Sequence, residues 1–269
     1  MDINLLLILL ALGAVVGVFA GLFGVGGGGI MVPALTTLFV GKGFPPDQVV
    51  HLALGTSMAA IVMTSFSSMR AHHAREAVLW AVVRHMTPGI LLGTFAATFL
   101  ATYLSSKHLA IFFACFMGYV ALQMILNVKP KPHRELPGAL GLASVGMGIG
   151  AVSALVAIGG GSLSVPYLTW CNVNIRNAIA TSAAIGLPIA LAGTLGYLFN
   201  GWGQAGLPAG SLGYVYLPAL GVLVVATMVT APFGARLAHR LPVATLKRIF
   251  AGILILLAAK MLWSLFSAP

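Results

Sequence analysis

Eight mostly apolar stretches, each long enough to cross a bilayer as a helix, follow one another along the chain. A helix needs about 20 apolar residues to span the hydrocarbon core. Only 7% of the residues are charged, whereas a soluble domain carries about 25%. The sequence therefore predicts an all-α polytopic membrane protein. The predicted spans are 3–23, 47–69, 80–104, 108–128, 138–158, 174–199, 212–237 and 243–266.

The charges that remain narrow the range of functions. The net charge is +10, but the basic residues lie mostly in the connections between spans, as membrane orientation requires, so they do not indicate nucleic-acid binding. A cation transporter or proton pump usually places an acidic residue within the membrane. No predicted span interior has one, which favours a neutral or anionic substrate. The carboxylates, all at a terminus or in connections, are Asp2, Asp47, Glu76 and Glu135.

No catalytic or metal-binding motif stands out. The chain shows no serine–histidine–acid or cysteine–histidine arrangement, and the pair His72-His73 has no third ligand near it in sequence. We therefore expect neither enzyme activity nor a cofactor or metal. Four aromatic residues fall near predicted span ends, where interfacial anchors occur. They are Trp170, Tyr197, Trp202 and Tyr214.

An internal repeat divides the chain into two halves. A glycine-rich segment ending in Val-Pro occurs at 24–33 and again at 157–166, and each copy is followed by a Thr-Ser pair, Thr56-Ser57 and Thr181-Ser182. Such self-similarity is the signature of a duplicated structural unit. The predicted units are a first membrane repeat at 1–128, a basic, proline-rich linker at 129–137, and a second repeat at 138–269.

The basic residues predict how the halves face. Eight plain crossings would divide these residues almost evenly between the two sides, although cytoplasmic loops normally hold the excess of Lys and Arg. If each glycine cluster is instead the tip of a hairpin, eleven of the 14 fall inside; Lys42 and Lys107 lie outside, and Lys260 lies near the outer end of its helix. The halves are then inverted repeats, as in many secondary transporters. The predicted cytoplasmic regions are 70–84, 129–134 and 236–248.

The glycine clusters suggest an anion site. A short apolar helix is expected after each cluster, at 29–41 and 162–171, with Pro33 and Pro166 in or near its first turn. A broken helix is tolerated within a membrane where protein or a water-filled cavity satisfies its backbone. Because the N-terminus of a helix carries unpaired N–H donors and a partial positive charge, it suits a small anion.

Candidate substrate-binding residues follow from this hypothesis. They are Gly26, Gly27, Gly28 and Gly29 in the first cluster, Gly159, Gly160, Gly161 and Ser162 in the second, and Thr56, Ser57, Thr181 and Ser182 on the spans that follow. His51 is a possible accessory residue that titrates with the anion, or an interfacial histidine. Arg176 either guides anions from the cytoplasm or only determines topology.

Two alternatives remain open. The glycines could instead allow close helix packing in an anion channel or a non-transporting membrane subunit, and the Thr-Ser hydroxyls could bond between helices. A cation or metal transporter is disfavoured by the lack of acidic residues within the spans.

The doubled glycine cluster resembles that of the TauE/SafE family, the sulfite exporter-like membrane proteins. The matching residues are Gly21-Leu22-Phe23-Gly24-Val25-Gly26-Gly27-Gly28 with Val32-Pro33-Ala34-Leu35, then Ile158-Gly159-Gly160-Gly161-Ser162 with Val165-Pro166. The family's Thr-Ser pairs are also matched. The resemblance covers essentially the whole chain. It implies a permease of the cell inner membrane that moves small sulfur-containing anions, such as sulfite or organosulfonates, usually outward.

The expected partners are therefore this small anion and the lipid bilayer, and the oligomeric state stays open. We expect transport by alternating access around a midplane site between the two tips. Ser162 stands where the first copy has Gly29, which makes the tips chemically unequal.

Overall fold

The computed structural model describes residues 3–23, 27–126, 134–238 and 243–267, and within them the chain forms ten helices and one short β-hairpin. The helices are α1 (Ile3–Phe23), α2 (Gly28–Gly41), α3 (Val49–His73), α4 (Trp80–Tyr103), α5 (Ser106–Leu126), α6 (Ala139–Val156), α7 (Gly161–Trp170), α8 (Ile175–Asn200), α9 (Leu217–Ala238) and α10 (Val243–Phe266). Strands β1 (Ser211–Leu212) and β2 (Val215–Tyr216) pair in an antiparallel hairpin. Eight of the described helices, all but α2 and α7, are long and apolar enough to cross a membrane. The predicted all-helical membrane architecture is confirmed.

The same order of helices occurs twice along the chain. A long helix, a break, a short helix and three long helices make up α1 to α5, and again α6 to α10. Two boundaries differ from the prediction by more than two residues. Helix α3 continues to His73, so that Arg70 and His72 lie in its last turn, and the connection to α4 covers only 74–79. Helix α9 begins at Leu217 and not at 212, because the residues before it form the β-hairpin.

Glycines bring α4 against α6 and α1 against α9. A Cβ atom added to Gly89 would overlap the backbone of Ala143, and one added to Gly93 would overlap that of Met147. Because the contact points advance in the same direction along both helices, α4 and α6 are parallel. The matching approaches of α1 and α9, also parallel, are Gly13 with Ala226, Gly17 with Thr230, and Gly234 with Val18. This is the small-residue packing common between membrane helices.

Helices α3 and α8 form the centre of the molecule. Within their spanning windows 78% and 67% of residues are buried, against 44% or less in the other spans. The start of α3 packs on the end of α8, at Gly55 and Tyr197, while Ser65 of α3 packs on Gly186. The two helices are therefore antiparallel, although they hold corresponding places in the sequence repeat.

Each short helix returns to the face at which the preceding long helix began. The Arg134 guanidinium, just before α6, lies 5.0 Å from the ring centroid of Trp170 at the end of α7. Helix α1 is parallel to α9 and so begins at the face where α9 begins. At that face Phe39 of α2 packs edge-on against Tyr216, with ring centroids 5.6 Å apart. The pairs α1–α2 and α6–α7 are therefore two re-entrant hairpins.

Two of the aromatic residues predicted as interfacial anchors are buried. Tyr197 is completely buried and Tyr214 is 5% exposed. The prediction was wrong for them because the β-hairpin folds back onto α8, where the Tyr214 N–H donates to the Tyr197 carbonyl at 3.1 Å. The Tyr197 hydroxyl in turn donates to the carbonyl of Ala154 at 3.0 Å. Trp170 and Trp202 are exposed, as expected of anchors.

Candidate substrate site

Both helix breaks depend on a glycine in the left-handed region. Gly27 has a φ of 77° and precedes α2, which begins at Gly28. Gly160 has a φ of 79° and precedes α7, which begins at Gly161. Glycine adopts this conformation at no steric cost because it lacks a Cβ atom. Gly26, also predicted at the first break, lies outside the described residues.

The breaks leave main-chain donors at the starts of α2 and α7. The carbonyl of Gly27 accepts the N–H groups of the third and fourth residues of α2, both at 3.1 Å, and that of Gly160 accepts those of α7 at 3.1 and 2.8 Å. Among the described residues no side chain caps either helix. The amides of the first two residues of each helix therefore stand at its open, partially positive end. Those residues are Gly28 and Gly29 in α2 and Gly161 and Ser162 in α7.

The two prolines lie just after the first turn of the short helices, near it as predicted. Pro33 and Pro166 are each the sixth residue of their helix, and not in the first turn, because the helices begin directly after Gly27 and Gly160. A proline inside a helix lacks the N–H that would bond to the carbonyl four residues earlier. The carbonyls of Gly29 and Ser162 therefore lack the helical N–H partner that another residue at positions 33 and 166 would supply.

The two hairpin tips touch each other. A Cβ atom on Gly28 would overlap the carbonyl of Ala157, in the second break, and would lie 3.0 Å from Cδ1 of Ile61 on α3. The Gly159 carbonyl packs on α8, 2.7 Å from the Cβ position of Gly186. The structure thus places both glycine clusters together against the central helices.

The threonines of the two Thr-Ser pairs bond to the backbone of the opposite half. The Thr56 hydroxyl accepts the N–H of Tyr216, just before α9, at 3.0 Å. The Thr181 hydroxyl accepts the N–H of Leu79, just before α4, also at 3.0 Å. Both threonines are fully buried. These bonds tie α3 to the start of α9 and α8 to the start of α4, as the interhelical interpretation of these residues expects.

The serines of the same pairs have no such bonds. Ser57 and Ser182 are buried, and within the described parts of the chain their hydroxyls have no hydrogen-bond partner. Ser57 is four residues before Ile61 and Ser182 is four residues before Gly186, the residues that contact the tips. Each serine therefore lies on the helix face that is directed towards the tips. The Ser162 hydroxyl is also buried without a partner among the residues described. Since buried hydroxyls are nearly always satisfied, these three point to a ligand or water.

The accessory residues lie at opposite ends of the central pair. His51 is 3% exposed in the first turn of α3, where its Nε2 is 2.9 Å from the Ala101 carbonyl and its ring stacks on Tyr214 at 5.1 Å. Its ring is therefore enclosed by protein. Burial of the hairpin turn raises the pKa of the Tyr214 phenol above its usual value. Arg176 is exposed in the first turn of α8.

Sequence reasoning missed two residues near the second tip. Ser153, in the last turn of α6, and Ser164, in the first turn of α7, are completely buried. Their hydroxyls lack a partner in the part of the chain that the structure describes. A comparison of the two repeats could have found both serines, because they align with Ala20 and Met31, which carry no hydroxyl.

The chain matches the family described as sulfite exporter TauE/SafE over residues 9–261. It is 38% identical to a "Probable membrane transporter protein" of Haemophilus influenzae, covering 95% of this chain and 97% of that protein. Similarity extends to a probable membrane transporter protein of Methanocaldococcus jannaschii, 25% identical over 93% of this chain and 92% of that one. It also extends to YdhB of Bacillus subtilis, another probable membrane transporter protein, which is 27% identical over 86% of this chain and 89% of that one. No solved structure matches. The chain therefore belongs to the sulfite exporter TauE/SafE family of membrane proteins.

Proposed function

We propose that this protein is a secondary transporter that exports small sulfur-containing anions, such as sulfite or organosulfonates. Family membership and the names of the relatives support membrane transport. The anionic class is supported by one observation above all: the N-terminus of α2 packs against the break that precedes α7, at the centre of the fold, beside buried hydroxyls that no described residue satisfies. Because the interior of the spans offers no carboxylate, the local potential favours an anion.

The proposed site consists of the main chain of both tips and the hydroxyls beside them. The amides of Gly161 and Ser162 and those of Gly28 and Gly29 donate to the oxygens of the anion. The hydroxyls of Ser57 and Ser182 donate from α3 and α8. Thr56 and Thr181 position these serines, since their bonds fix both central helices. Such a site binds an anion through dipoles and hydrogen bonds, without a buried Lys or Arg.

Transport proceeds by alternating access between two inverted repeats, 1–128 and 138–269, joined by the linker 129–137. The antiparallel packing of α3 on α8 and the two re-entrant hairpins support this arrangement. One half then rocks against the other around the touching tips. In this orientation the regions 70–84, 129–134 and 236–248 face the cytoplasm of a cell with the protein in its inner membrane.

The membrane potential is sufficient to drive export. The chain has no P-loop motif. Moving one negative charge outward across a membrane that is negative inside releases about 2.3 kcal/mol per 100 mV. Outward movement of the anion needs no coupled cation in this scheme.

Flux into proteoliposomes tests the proposal. We expect saturable sulfite flux that methanesulfonate inhibits, and a strong reduction in the double variant Ser57→Ala/Ser182→Ala. Ser264→Ala is the matched control, because that hydroxyl bonds only within its own helix, to Met261. Flux that rises linearly with concentration would indicate a channel, and no flux of any anion would refute transport of this class.

A further inference from the structure

The two glycine tips differ in polarity in a consistent way. The repeat aligns positions 20, 29 and 31 of the first half with 153, 162 and 164 of the second, each pair separated by the same offset. At all three positions the second half has serine. The first half has Ala20, Gly29 and Met31.

The side chains at these positions lie beside the corresponding glycines. The Ser164 hydroxyl is 3.4 Å from the Cβ position of Gly160, and the Met31 methyl is 3.5 Å from the Cβ position of Gly27. The Ala20 methyl lies 3.7 Å from that position on Gly27. The two tips thus have the same geometry but present an apolar surface in one case and a hydroxyl in the other.

Three residues that flank the second break carry unsatisfied hydroxyls. Ser153 and Ser164 are both completely buried. The main-chain carbonyl of Ser153 accepts the N–H of Ile158 at 3.2 Å, which places Ser153 beside the break. Ser162 is the second residue of α7. None of the three hydroxyls has a partner among the residues that the structure describes. A buried polar group without a hydrogen bond is costly, so these side chains fit an acceptor-rich group that binds here.

We propose that the second tip binds the charged end of the substrate and the first tip its apolar end. The inference rests on the proposed function and specifies its substrate: a short organic anion with a single charged group, of the alkanesulfonate type. The sulfonate oxygens accept from the Ser153 and Ser164 hydroxyls and from the α7 amides, including that of Ser162. The alkyl end packs on Met31, whose flexible thioether adapts to different apolar shapes.

This arrangement predicts a dependence on alkyl length. Each buried CH₂ strengthens binding about fourfold, so ethanesulfonate should bind purified full-length protein about four times as tightly as methanesulfonate. Met31→Ser should reduce that ratio to near one. Ser164→Ala should weaken the binding of sulfite and of both sulfonates by about tenfold, the loss of one hydrogen bond to a charged group.

Titration calorimetry in detergent measures these constants. Ser144→Ala is the control, since that exposed hydroxyl bonds only to Leu140 of its own helix. Met31→Ala replaces Met31→Ser if the latter does not purify as a folded protein. Equal affinity of wild type for both alkanesulfonates, or a Ser164→Ala variant that behaves like Ser144→Ala, would overturn the assigned orientation while the proposed function stands. Failure of wild type to bind sulfite or either sulfonate would instead refute the proposed function.

Discussion

Gly27 and Gly160 create the main-chain donors by turning the chain with φ values of 77° and 79°. An L residue in this conformation costs about 1–2 kcal/mol. At Gly160 a Cβ atom would also lie 2.7 Å from Cδ1 of Ile189. Any side chain at these positions therefore strains the turn that exposes the amides.

We expect Gly160→Ala to lower the free energy of unfolding by about 1–2 kcal/mol and to reduce anion flux. The reason is that the chain must leave the left-handed region or accept the strain. Thermal unfolding in detergent and proteoliposome flux measure the two effects. Gly118→Ala, in α5, is the control because its Cβ would meet nothing within 4 Å, and it should be neutral or slightly stabilising. Equal behaviour of the two variants would contradict the role of the turn.

Ser57→Ala and Ser182→Ala should separate stability from binding. Because each hydroxyl is buried without a partner among the described residues, its removal should leave the melting temperature unchanged or raise it. Sulfite affinity, measured by calorimetry, should fall by about tenfold for the loss of a hydrogen bond to a charged group. A lower melting temperature with unchanged affinity would show that these serines are structural.

Among helices, the antiparallel pair α3–α8 organises the fold. Each member is joined to the other half by a threonine that accepts a backbone N–H, Thr56 from Tyr216 and Thr181 from Leu79. The acceptors hold the starts of α9 and α4 against the central helices. The two bonds occupy corresponding places in the two halves.

Thr56→Val and Thr181→Val should each destabilise the protein by about 1–3 kcal/mol, because each leaves a buried N–H unsatisfied. Thr87→Val is a suitable comparison, since the Thr87 hydroxyl donates only to Val83 in its own helix. Thermal unfolding in detergent reports the difference. If all three variants melted together, the threonine bonds would not hold the halves.

The sequence was sufficient to predict the order of the helices, because bilayer thickness dictates the length of an apolar span. The start of α9 was missed, since the apolar residues before Leu217 read as part of a span and in fact form a hairpin. Tyr197 and Tyr214 were misplaced for the same reason, because the hairpin, which includes Tyr214, folds back onto Tyr197 of α8. The pairing of Thr56 with Tyr216 depends on contacts between distant segments, which periodicity does not encode.

At the scale of the whole molecule, side-chain contacts show which connections share a face. The Gln48 amide donates to the Ala205 carbonyl at 3.1 Å, so the start of α3 and the connection 201–216 lie together. The Asn177 amide donates to the Ala77 carbonyl at 3.0 Å, which joins the start of α8 to the connection 74–79. The second face carries the excess of basic residues and is the one that we propose to be cytoplasmic.

Cysteine labelling in intact cells tests this orientation. In a background lacking Cys115 and Cys171, Lys42→Cys and Gln204→Cys should react with a membrane-impermeant maleimide. Glu135→Cys should react only after permeabilisation, because it lies beside the opposite face. The reverse pattern would show that the protein has the opposite orientation. Labelling of all three cysteines from outside would show that the two faces are not on opposite sides of the membrane.

A crystal structure with bound selenite, the heavier congener of sulfite, tests the central claim most directly. Selenium is located by its anomalous scattering, and the natural protein contains only sulfur in its methionines. A peak within about 4 Å of the amide nitrogens of Gly161 and Ser162 is expected, the distance set by N–H···O bonds to its oxygens. A peak found only on exposed basic side chains, or glycine clusters lying within unbroken helices, would contradict an anion site built from the two hairpin tips.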